Sequence, residues 1–175
     1  MKKMSLILAF FLIIFIPGIS FCQDGTADGK AIDRAKISKI NENLRDNVED
    51  LSQLETALVT LYTSMTAHQA MERHFIERST ENIANIKGIY RYVEDALGEL
   101  LLIDPSKVSY YNHLKNYEIE KMRTLANVSF QNIQALHPKI SNEHAVHVID
   151  QATQIVRSGS ELLAKAMDIL EQHRG

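Results

Sequence analysis

The chain has 175 residues, 45% of them hydrophobic and 23% charged, with a net charge of -3, seven Gly, three Pro and no Trp. That size and apolar content suit one domain with its own core, and the interspersed charges offer no basic field for nucleic acid or anionic lipid, so direct nucleic-acid binding is set aside. Scarce Gly and Pro argue against a turn-rich β fold and for long helices.

Lys2 and Lys3 precede an unbroken apolar run from Leu6 to Ile16, followed by Pro17-Gly18 and Ile19-Ser20-Phe21-Cys22-Gln23. This is the order of a bacterial-type signal peptide over residues 1–22. About eleven apolar residues are too few for a membrane span, which needs roughly 20. Cleavage after Cys22 is the preferred expectation, leaving Gln23 first and a mature chain without a thiol. The alternative is a lipoprotein anchored through Cys22, against which the bulky Phe21 stands. Residues 23–30, QDGTADGK, read as a flexible leader. The expected product is exported to the periplasm or cell envelope and has no membrane span in its mature part.

Residues 31–173 are expected to form a single helical domain. Between Ala31 and Ile103 there is no Pro, and the first Gly is Gly88. Apolar residues fall on a heptad grid, with Ile37, Leu44, Leu51, Leu58 and Met65 in one row and Ile40, Leu54 and Leu61 in the other, where Asn47 is the polar member. The grid turns polar at His68, Glu72, Ser79 and Asn82, with Phe75 among them, and recovers at Ile86, Ile89, Val93, Ala96, Leu100 and Ile103. Two readings follow: one helix of about 100 Å, or a chain bent near 63–79 into two arms.

Asp104-Pro105 ends this region, and the next runs to His137 through Ile119, Met122, Ala126, Ser129, Ile133 and Leu136. Pro138 stops it, and Ser141 or Asn142 caps a last helix with Glu143 at its positive end. In that helix Ala145, Ala152, Gly159 and Ala166 recur every seven residues beside Val148, Ile155, Leu162 and Ile169. Small residues in a row admit a neighbouring backbone. The helix is therefore central to a bundle or lies at an oligomer interface. Ile149, Val156, Leu163 and Leu170 widen the apolar face beyond one partner helix. The expected fold is an elongated all-α helical bundle or coiled coil, its first helix long and open to a bend, closed by a C-terminal helical hairpin. A four-helix up-and-down bundle is the alternative.

Chemistry is sparse. His144, His147 and Asp150 are spaced three residues apart and, with Glu143, form the densest candidate metal cluster, whereas His68, Glu72 and His74 do not share one face; polar side chains at a capped helix start are expected in any case. There is no G-x-S-x-G, P-loop or H-E-x-x-H sequence, and the paired Glu-x-x-His of di-iron bundles is missing. The reading is therefore no enzyme, no cofactor and no resident metal. Tyr90, Tyr92, Tyr110, Tyr111 and Tyr117 gather around Asp104-Pro105. Tyrosine supplies contact area with a polar tip, which makes Tyr110 and Tyr111, with the small-residue row, the candidates for a protein interface.

The stretch Leu125, Ser129, Phe130, Ile133, Gln134 and Leu136, the link His137-Pro138-Lys139-Ile140, and Ser141-Asn142 leading to Ile149, Val156 and Leu163 resemble the final hairpin of the periplasmic helical, minor-pilin-like component of conjugative type IV secretion systems. The likeness runs from about Leu100 to Leu170 and is one of pattern. It implies a non-enzymatic assembly role in DNA-transfer machinery, with protein partners in the envelope, self-association among them, and no DNA contact. A free periplasmic bundle binding a small ligand or metal is the competing expectation.

Overall fold

A computed structural model describes residues 33–104 and 107–171. Four helices account for nearly all of them: α1 Arg34–Ser64, α2 Ala70–Leu102, α3 Val108–Leu136 and α4 Glu143–Glu171. No strand occurs among the described residues. The signal segment, the leader 23–30 and Cys22 lie outside them.

The long first region is not one helix. It breaks at Met65, whose ψ of 141° is extended, and a short 3-10 turn Ala67–Gln69 leads into α2. Side-chain hydroxyls weaken the end of α1. Ser52, Thr56, Thr60 and Thr63 each donate to the carbonyl four residues back, and Ser64 donates to Leu61, an arrangement that competes with the helix ladder. Thr66 then starts anew, its backbone N–H donating to Gln69 Oε1 at 3.2 Å in a T-x-x-Q box. The bend falls within the polar waist, and the chain becomes the four-helix up-and-down bundle, the second of the two expected architectures.

Consecutive helices are neighbours, α4 closes the ring against α1, and α2 also reaches α4 across the middle. The heptad rows supply the core. Ile37, Leu44, Leu51 and Leu58 of α1 are completely buried, as are Ile76, Ile83, Ile86 and Val93 of α2, Ile119 and Ile133 of α3, and Ile149, Val156, Leu163 and Leu170 of α4. Ser79 and Thr80 are buried at the waist, where their hydroxyls donate to Phe75 and Ile76 carbonyls, which removes most of the cost of burying them.

Two helix termini are closed by their own caps and two are reached by a charged side chain from another helix. Asp33 caps α1, accepting from the Lys36 N–H at 3.1 Å. The Arg34 guanidinium donates to the Leu101 and Ile103 carbonyls at the C-terminus of α2 at 3.2 and 3.3 Å, where a cation suits the orphan acceptors. At the opposite end Asn142 caps α4, accepting from the Ala145 N–H at 3.0 Å. Glu72 of α2 reaches the same turn, its Oε1 accepting from the Ser141 N–H and Oγ and from the Asn142 N–H at 2.6–2.8 Å. The hydrogen bonds from Ser141, then from the backbone, hold the Glu72 carboxyl below its ordinary range.

Candidate interaction face

The small-residue row lies inside the bundle of a single chain. Ala145, Ala152 and Ala166 are fully buried, and Gly159 sits beneath Tyr90 of α2, where a Cβ would collide with Cε2, Cζ and Oη of the phenol ring. Tyr90 is itself completely buried and donates to the Val156 carbonyl at 2.7 Å; burial pushes its hydroxyl up to about 12. The row thus accommodates an aromatic ring from α2 and presents no surface to an outside helix.

His144, His147 and Asp150 are all exposed. Asp150 Oδ1 lies 3.0 Å from His137 Nε2, a charged pair only when the imidazole is protonated. No three metal-capable side chains converge anywhere among the described residues.

The tyrosines take three different roles. Tyr90 belongs to the core. Tyr92 and Tyr111 join a polar bracket between α2 and α3: Tyr92 Oη donates to Glu118 Oε2 at 2.6 Å, Tyr111 Oη donates to Glu99 Oε2 at 2.5 Å, and Lys115 Nζ lies 3.1 Å from Glu118 and 3.6 Å from Glu99. The ammonium also stands 5.7 and 5.4 Å from the Tyr92 and Tyr111 ring centres, within cation–π range. Burial and the Glu99 carboxylate push the Tyr111 hydroxyl up, while hydrogen bonds from Tyr111 and Tyr92 respectively, aided by Lys115, hold Glu99 and Glu118 down. At neutral pH every member therefore carries the charge its hydrogen bonds require. Tyr111 is committed to this intramolecular contact. Tyr110 and Tyr117 stand outside it, 78% and 70% exposed.

Those two tyrosines head a stripe that the heptad reading of the sequence did not pick out. The inner face of α3 carries Ile119, Ala126 and Ile133, buried at seven-residue intervals. On the opposite face lie Tyr110, Leu114, Tyr117, Leu125 and Val128, all exposed, with Lys121 between them. Spacings of three, four, seven and eight residues place them along one line of the helix. A helix apolar on one face is satisfied by one core; one apolar on two opposite faces has surface left over. Isolated exposed apolar residues need no explanation, but five along one line of a helix, interrupted only by Lys121, make this face the candidate contact surface. The sequence signal was available in Leu114, Lys121 and Val128 recurring every seven residues beside Tyr110 and Tyr117. It was masked by the stronger inner row.

The fold and this face together define a four-helix bundle with one doubly apolar outer helix. No family model, curated protein or solved structure matches the chain. No helix among the described residues is long and apolar enough to cross a membrane.

Proposed function

We propose that the chain is an exported, non-enzymatic assembly protein of the cell envelope that works by helix-to-helix contact along the outer face of α3, within conjugative, type IV secretion-like machinery. The observation that carries the contact mode is the second apolar face of α3, with Tyr110 and Tyr117 as its most exposed members. Amphipathic helix pairing is read through anchors at such spacings, and tyrosine is enriched among the residues that dominate interface energy. The envelope setting comes from the signal-peptide pattern of residues 1–22, and the DNA-transfer setting from the resemblance of the α3–α4 hairpin to the minor-pilin-like class. Ala145, Ala152, Gly159 and Ala166, expected together with Tyr110 and Tyr111 as the contact surface, are buried within the bundle, so in this reading the contact role falls to α3.

The test is crosslinking and pull-down from intact envelope, run for the wild type and for Tyr117→Glu. Recovery of pilus or secretion-channel proteins by the wild type, lost in a Tyr117→Glu variant that melts normally, supports the proposal. An identical set of partners from both proteins, or no partner from either, rejects α3 as the assembly face.

A further inference from the structure

The outer stripe of α3 is balanced about its own midpoint. Tyr110 and Val128 stand nine residues to either side of Ile119, Tyr117 and Lys121 two to either side, and Leu114 and Leu125 five before and six after. A two-fold axis demands a patch that maps onto itself, each residue meeting its counterpart across the axis. We infer that a second copy of this chain covers the stripe, α3 running antiparallel to α3 with the two-fold axis at the level of Ile119. The inference rests on the reading of α3 as the assembly face.

In this register Tyr110 lies against the partner's Val128, Leu114 within one residue of the partner's Leu125, and Tyr117 against the partner's Lys121. The last pair removes the obvious objection to a cation in an apolar seam. Lys121 meets an aromatic face in place of a second ammonium, a favourable contact for lysine, and its methylene stem covers apolar surface while the head stays wet. The same helix already makes this kind of contact internally, between Lys115 and the Tyr92 and Tyr111 rings.

The size of the patch places the pair among weak, transient interfaces. The stripe is about 27 Å long and presents on the order of 500 Å² of apolar side chain per copy. A standard stable complex covers about 800 Å² per partner, so the pair should be reversible, with a Kd on the order of 10 μM.

Sedimentation of the purified, exported chain across that concentration range tests it, using Leu114→Lys, Leu125→Glu and the double variant. Both positions are on the surface, and unchanged helical circular dichroism confirms folding. Within one chain these positions lie about 16 Å apart along α3, so only pairing between copies can bring the new charges together. The expected result is a wild-type dimer, a loss of at least tenfold in affinity for each single variant, and recovery in the double variant. A wild type that stays monomeric at about 20 times the expected Kd overturns the self-pairing. So does a dimer that both single variants retain, and a double variant that stays monomeric overturns the antiparallel register. If the wild type is monomeric while Tyr117→Glu still loses its envelope partners, self-pairing fails and the assembly reading stands.

Discussion

Replacing glycine with alanine should act in opposite directions at two places in this bundle. Gly88 lies in α2 with nothing within 4 Å of an added methyl, and it is exposed. Alanine there should stabilise by about 1 kcal/mol through helix propensity alone. Gly159 lies in α4 under Tyr90, and its new methyl would meet two ring carbons and the hydroxyl oxygen at once, belonging to a side chain held by its hydrogen bond to Val156 and by complete burial. Overpacking of this kind costs about 1–3 kcal/mol, from which roughly 1 kcal/mol of propensity gain is subtracted. The ring cannot slide away without leaving its hydroxyl unpaired in the core, which adds about 1–3 kcal/mol, so a net loss of roughly 1–5 kcal/mol is expected. Urea unfolding followed by circular dichroism measures both variants, and in a melt each kcal/mol appears as about 2–4 °C. Adding Tyr90→Leu to Gly159→Ala should return part of the loss, because the clash and its cause are removed together. If Gly159→Ala proves as stabilising as Gly88→Ala, α2 and α4 do not approach one another at this point and the packing argued for the small-residue row is wrong.

Three further outcomes follow from the geometry. Glu72→Ala removes the acceptor for the Ser141 and Asn142 N–H groups and should cost about 1–2 kcal/mol, seen as a lower melting temperature. Because the folded state holds Glu72, Glu99 and Glu118 below the ordinary value of 4.5, their stabilisation is complete above that pH and is lost as pH falls through the lower folded values. A pH series of melts should show this decline below 4.5, shallower in Glu72→Ala. A Glu72→Ala curve parallel to the wild type would dissociate that carboxylate from the acid limb. Asn112 of α3 is fully buried with neither amide atom hydrogen-bonded among the described residues, so Asn112→Leu should raise stability by about 1–3 kcal/mol in chemical denaturation; a lower midpoint would mean that the amide is satisfied after all.

The fold was largely readable because its determinants are periodic. Heptad rows in α1, α2 and α4 named most of the core, and Pro138 with Ser141-Asn142 placed the last turn. The break between α1 and α2 was readable as a location but not as a choice between bend and continuity. The deciding signal was Thr66-Ala67-His68-Gln69, a capping box, together with a run of hydroxyl residues from Ser52 to Ser64 that bond back onto their own helix. The waist residues were assigned as a polar interruption, whereas Glu72 holds the turn that leads into α4 and Ser79 lies in the core. Periodicity also could not say what filled the groove over Gly159, because the answer, Tyr90, comes from a helix some 70 residues earlier. Of the interface residues expected from the sequence, Tyr110 alone is free on the surface. Tyr111, its neighbour in sequence, points about 100° further round the helix and is held by Glu99.

The contact between Tyr90 and Gly159 also decides how the four helices communicate. By drawing α2 and α4 together it makes theirs the short diagonal of the bundle and leaves α1 and α3 at the far corners. A load applied to the outside of α3 therefore reaches α1 chiefly by way of α2 and α4, the two helices that pack against both. Where those two helices meet, the phenol of Tyr90 is fully buried over Gly159 and hydrogen-bonded to the Val156 carbonyl, so close packing leaves little room for one helix to shift without the other.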